Sequence, residues 1–201
     1  MSSVVDSIRA EYQRYQLLAE RALGQVPDEM LGAPGPGGGN SLTTIAWHVA
    51  GNLRSRFTAF LTEDGEKPWR NREDEFAART VSREALRTQW LAGWATLYDA
   101  LTPITDGDLH RTVTIRGQPL AVHDAFHRSL AHVSYHVGQI VYVAHAFRGE
   151  AWEYLSIAPG GSAAYNAAPT HETPGAHVAR LSQAVPTDLH SHRTGIREGE
   201  Q

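Results

Sequence analysis

Four stretches of this chain repeat apolar residues every three or four positions, and that period constrains the fold more than any other feature. The first stripe is Val5, Ile8, Tyr12, Tyr15, Ala19, Ala22 and Val26, and it stops near Gly24 to Pro27. The second begins at Asn40 or Ser41, both good helix N-caps, and carries Leu42, Ile45, Val49, Leu53, Phe57 and Phe60 or Leu61. Ser82 caps the third, which presents Leu86, Trp90, Trp94, Leu97, Leu101 and Ile104 and ends at Pro103. The fourth runs from about His123 to Phe147 and closes at Gly149. Each apolar stripe must be buried against another element, so the expectation is an all-α domain built as a four-helix bundle.

The connecting segments read differently. Gly32 to Gly39 (GAPGPGGG) is a linker, because it lacks the Gly-Lys-Ser/Thr ending of a phosphate loop and follows no apolar strand. Glu63 to Arg79 mixes charges of both signs and reads as a long surface loop. Its Arg70, Arg72, Glu73 and Asp74 are expected to be solvated or to pair with one another, the alternative being that they reach the mouth of a cavity between the helices. Arg111 to Val122 alternates β-branched residues around a Gly-Gln turn, which predicts a small β-hairpin before the last long helix. Trp152 to Asn166 supplies aromatics that pack back onto the helices. Beyond Ala167 no period survives among Pro, Thr, His and Gly, so residues 1–166 are expected to form the domain and 167–201 a mobile tail.

Composition narrows the chemistry. No cysteine occurs, which excludes thiolate nucleophiles, Cys-ligated zinc, iron–sulfur clusters and disulfides, and leaves a metal only nitrogen and oxygen ligands. A formal net charge of −4 without a block of like charge argues against a nucleic-acid partner. Between Arg128 and Arg148 no formally charged residue occurs. That segment holds His132, His136, His145, Gln139 and Ser134, so it reads as a buried central helix rather than a membrane span. Met1 to Ala10 has no apolar run of the kind a signal peptide needs, and a cytoplasmic location is expected.

His132 and His136 stand four apart on the fourth helix, which places both imidazoles on one face at a spacing suited to one metal ion. His123, His127 and His145 of the same helix point elsewhere. A third ligand has to come from another helix, and His48, beside the stripe of Ile45 and Val49, is best placed. Asn52, Ser129 and Gln139 share the faces of these histidines and are candidates to support them, as are Ser55 and Arg128 more remotely. The competing reading is that all these polar groups are core residues bonded within the helices. Val133 follows His132 where the zinc-peptidase helix needs Glu, which disfavours that chemistry. His171, His177, His190 and His192 are irregularly spaced and suggest no site.

Trp47-His48-Val49-Ala50-Gly51-Asn52 on the second helix, together with His132-Val-Ser-Tyr-His136-Val-Gly138-Gln139-Ile140 on the fourth, resembles the DinB/YfiT-like superfamily of metal-binding four-helix bundles. Asp64 to Phe76 and Leu155 to Asn166 look like a poorly characterised subgroup of it. The resemblance covers about residues 4 to 166. It implies His48, His132 and His136 as ligands of one divalent ion, with zinc or nickel foremost and manganese or iron as alternatives. It also implies a homodimer and, from the better understood relatives, small-thiol S-transfer or metal-dependent hydrolysis.

The functional expectation is therefore a metal-dependent hydrolase or thiol transferase acting on a small molecule, with a low-molecular-weight thiol as a possible cosubstrate. An ion on three neutral imidazoles keeps its double charge and can acidify water or a thiol toward neutrality. The alternative is a metal-binding stress or interaction protein without turnover, and a third reading is a helical module whose histidines are core residues.

Overall fold

Serine hydroxyls start three of the four long helices. Ser3 accepts from Asp6 N–H at 3.0 Å, Ser41 from Thr44 N–H at 3.1 Å and Ser82 from Ala85 N–H at 3.1 Å. They open α1 (Val4–Gly24), α2 (Leu42–Phe57) and α4 (Arg83–Leu101) in a computed structural model that describes residues 3–183. A single turn, α3 (Arg72–Glu75), lies between α2 and α4. A hairpin, β1 (Thr112–Ile115) and β2 (Gln118–Ala121), leads directly into α5 (Val122–Arg148), and α6 (Ser162–Ala167) and α7 (Pro174–Gln183) follow. The fold is thus mostly helical with one small antiparallel hairpin. Among the described residues no helix is long and apolar enough to cross a membrane.

The four stripes meet in one core. Tyr12, Leu53, Trp94, Leu97, Phe126 and Ile140 are fully or almost fully buried, and the Tyr12 hydroxyl donates to the Phe126 carbonyl at 3.0 Å, tying α1 to α5. On α4, Gly93 faces Ala50 of α2 so closely that a Cβ added there would lie 2.7 Å from the Ala50 Cα. The two backbones touch at that point.

Four features differ from the sequence expectation. The helix buried on nearly every side is α2, not α5, because α2 is packed by α4, α5 and α3 together. On α5, Tyr135 and Tyr142 are 63% and 66% exposed, so its uncharged outer face meets solvent. The hairpin turns at Arg116-Gly117 rather than at Gly-Gln, with φ of 56° and 70° at the two turn residues and Ile115 opposite Gln118. The charged stretch after α2 is also not a solvated loop. Lys67 and Glu75 are buried, and the Asp64 carboxylate accepts the backbone N–H of both Arg116 and Gly117, at 2.8 and 2.7 Å.

The fourth difference is at the C-terminal end. Trp152 and Leu155 pack back onto the core as expected, although Tyr154 stays exposed. Residues 174–183 do not form part of a structureless tail. They make α7, which lies along α1 and buries Leu181 completely. Thr173 accepts from Ala176 N–H at its start, with Pro174 in the first turn. The tail residues after 183, with His190 and His192, lie outside the described residues.

Leu181→Ala is expected to cost about 2–4 kcal/mol in urea unfolding, as for a leucine removed from a packed site; a loosely attached segment would cost nothing measurable. Backbone N–H groups of Glu66, Gly117 and Arg116 hold the Asp64 carboxyl below its ordinary value. A lowered carboxyl pKa contributes stability above the unfolded value of about 3.9, and that contribution is lost as pH falls through the folded value. Asp64→Asn should therefore melt below the parent near neutral pH, and the gap should close in acid.

Candidate metal centre

The central position of α2 puts His48 inside the molecule, 3% exposed, facing α5. Its Nδ1 lies 2.8 Å from Glu75 Oε2. A carboxylate only accepts, so a neutral His48 carries its proton on Nδ1 and turns its Nε2 lone pair away from Glu75, toward α5. Glu75 is itself buried and receives two bonds from Arg70, Nε to Oε1 and Nη2 to Oε2, both 2.8 Å. Burial opposes its charge, but the Arg70 and His48 bonds prevail and hold its pKa below the ordinary carboxylate value. The ring of Phe76, the residue after Glu75, lies 4.5 Å from that of His48.

Gly51 makes this arrangement possible. It stands one turn beyond His48, and a Cβ there would fall 2.3 Å from Glu75 Oε1. The carboxylate occupies the space that any other residue would fill with side chain.

From α5 come His132 and His136, with ring centroids 4.5 Å apart and at 5.2 and 4.8 Å from that of His48. One ligating nitrogen from each of the three histidines lies within 4.8 Å of the other two, so they are close enough to hold a metal ion. His48 Nε2 and His132 Nε2 are 3.2 Å apart, close to the roughly 3.3 Å that tetrahedral coordination with ordinary zinc–nitrogen bonds imposes. His136 donates from Nδ1 to Gln139 Oε1 at 2.7 Å, which leaves its Nε2 as a lone pair too.

This donor set fits a cation better than it fits itself. His48 and His136 both spend their proton on an outer partner, so two Nε2 lone pairs face the middle. The single proton of a neutral His132 can serve only one of them, whereas one ion serves all three. Burial, followed by the neighbouring His136 and His48 and the Arg70 and Arg56 guanidiniums, pushes His132 down to about 3. Burial also lowers His136, against the opposing Gln139 bond. Neutral imidazoles are the form a metal takes. Orientation is less secured at His132, whose Nδ1 is buried without a partner.

A cavity of about 190 Å³ opens beside His48 and His132. Asn52 and Ser129, both buried, line it, so these two candidates flank the histidines while Gln139 braces His136 from outside. Ser55 turns away to donate to the Gly65 carbonyl at 2.8 Å. Arg70 and Arg72 reach the cavity, while Glu73 and Asp74 remain solvated. Asp124 pairs loosely with His123 on the exposed side. His145 stacks on Trp152, and His171 approaches His177 against α1, away from this centre.

Residues 2–161 match the family described as "Protein of unknown function (DUF1572)". The chain belongs to that family. The DUF1572 match takes in all three histidines, Glu75 and Gln139, and ends before α6 and α7. No curated protein and no solved structure matches the chain.

Sequence reasoning missed Glu75 and underrated Arg70. The one available signal was Gly51, an isolated glycine within a helical pattern, and a weak one, because Gly138 on α5 is equally isolated and faces open space. Glu75→Gln should weaken zinc binding about 10- to 100-fold in competition with a chromophoric chelator, the usual effect of removing a ligand's hydrogen-bond partner. Gly51→Ala should do the same by displacing the carboxylate, with far-UV circular dichroism unchanged in both.

Proposed function

We propose that this protein is a DinB-like four-helix bundle carrying one divalent ion, zinc or nickel foremost, on His48, His132 and His136. On this reading it is a metal-dependent hydrolase or small-thiol S-transferase acting on a small molecule. The observation that carries the reading is the convergence of three imidazoles, two of them with Nδ1 already committed to Glu75 and Gln139. A divalent ion there supplies Lewis acidity and acidifies water or a thiol toward neutrality.

The chain's own residues do the rest. Glu75 and Arg70 keep His48 in the Nδ1–H tautomer and fix its ring against α5. Gln139 does the same for His136. Phe57, Phe60 and Ile115 form the apolar side of the cavity and limit water beside His132, while the Asn52 and Ser129 side chains offer hydrogen bonds to a bound molecule. The absence of cysteine supports a nucleophile from water or from a small thiol cosubstrate. For the homodimer that belongs to this reading, the outward Tyr135 and Tyr142 of α5 are the apolar surface at hand.

A second reading, a metal-bearing binding protein without turnover, is favoured by one feature. The carboxylates nearest the cavity, Glu66 and Glu75, are both bonded to arginines and both held below their ordinary pKa, so neither is free as a general base or acid.

Metal content of the untagged full chain, measured by inductively coupled plasma mass spectrometry beside His132→Ala/His136→Ala, tests what both readings share. Close to one ion per chain is expected in the parent and none in the variant. A parent that stays metal-free after reconstitution with zinc, nickel and manganese would overturn both. Metal-dependent turnover of esters, amides, or electrophiles with thiols, lost in His132→Ala, separates the enzyme from the binding protein.

A further inference from the structure

Five arginines, Arg56, Arg70, Arg72, Arg116 and Arg128, line the cavity beside the histidines in a chain whose formal net charge is −4. Two carboxylates answer them at the wall. Glu66 pairs with Arg56 at 3.1 Å and Arg116 at 2.9 Å, and Glu75 takes both bonds from Arg70. Arg72 meets only Glu73 at 3.4 Å, which is 88% exposed to solvent, and leans over the Phe76 ring. Arg128, one turn before His132 on α5, has no ion pair or hydrogen bond among the described residues. The cavity is therefore a concave region of excess positive charge, where low-dielectric walls focus the field.

A second observation lies deeper. Ser129, 7% exposed, also lines this cavity, and its Oγ, near the Tyr12 hydroxyl, makes no hydrogen bond of ordinary length. A buried hydroxyl held only loosely by its neighbours has hydrogen-bonding capacity left for a polar group in the cavity.

We propose that this cavity binds a small organic oxyanion, a carboxylate or a phosphate ester, gripped by Arg128 and Arg72 at its mouth with the Ser129 hydroxyl below. The planar guanidiniums suit the paired oxygens of either group. The volume of about 190 Å³ admits a small metabolite and not a polymer. Anchored at Arg128, the ligand's other end lies against His132, so the anionic group serves as a handle and not as the reacting centre. This deepens the metal-site reading, on which it rests for what happens to the ligand but not for its binding.

Isothermal titration calorimetry of the full chain, zinc-loaded and metal-stripped, with succinate and with inorganic phosphate tests it. One anion per chain is expected in both forms, and the preferred probe identifies the carboxylate or the phosphate class. Affinity should fall about tenfold or more in Arg128→Gln and in Arg72→Gln. Arg111→Gln, an exposed control paired with Asp108, should bind like the parent. No saturable binding of either anion, or binding undiminished in both arginine variants, would overturn the inference; anion held only by zinc-loaded protein and insensitive to the arginines would do so as well. Metal content of the same samples keeps the two readings apart. Stoichiometric zinc without anion binding sinks this inference alone, and arginine-dependent anion binding without zinc sinks the metal alone.

Discussion

The Glu75 carboxylate has left water, with its oxygens divided between the Arg70 guanidinium and His48 Nδ1 and its body resting on the bare backbone of Gly51. A buried charge is tolerated only when paired and hydrogen-bonded, and removing one partner of such a pair typically costs about 3–5 kcal/mol. That requirement draws the charged segment after α2 inward. It sets α3 against α2, covers His48 with Phe76 and fixes which nitrogen of His48 faces α5. The candidate metal centre is thus assembled from two long helices and one short charged segment, and the segment decides the chemistry of the most buried ligand.

The helices supply rigidity. His48 sits on the helix enclosed on nearly every side, and its neighbour Ala50 is in backbone contact with α4 through Gly93. His132 and His136 sit on α5, tied to α1 by the Tyr12–Phe126 bond. Ligands on packed helices keep their separation without an ion to hold them. The Asp64 carboxylate on the Arg116-Gly117 turn closes the other side, bringing the hairpin and its Ile115 and Arg116 to the cavity wall. Arginine charge and the nitrogens of the candidate metal centre consequently meet in one small space.

Much of the helical architecture was legible because it is local. Ser41 and Ser82 cap the helices they were expected to cap, Gly149 closes α5, and most stripe residues named from Val5 to Ile104 lie in the core. The spacing of His132 and His136 follows from helical pitch alone. Three things were not legible. Glu75 meets His48 across 27 residues of chain, and no spacing rule reaches that far. α7 is held by one fully buried leucine, too little to register as a period, although Thr173-Pro174 was a readable start signal. The uncharged run of α5 suggested the central helix, yet its Tyr135 and Tyr142 face solvent, because lack of charge does not by itself mean burial.

The sequence by itself determined the four long helices, the caps at Ser41 and Ser82, the hairpin before α5, the exclusion of thiolate chemistry and the identity of three histidines worth bringing together. These depend on backbone periodicity, on capping hydrogen bonds a few residues long and on which side-chain types are present. Only the tertiary structure decided that α2 is the enclosed helix, that Glu75 and Arg70 hold His48, and that five arginines gather around one cavity. Those outcomes depend on which distant segments must share a buried charge, and that is settled by packing in three dimensions rather than by any local pattern.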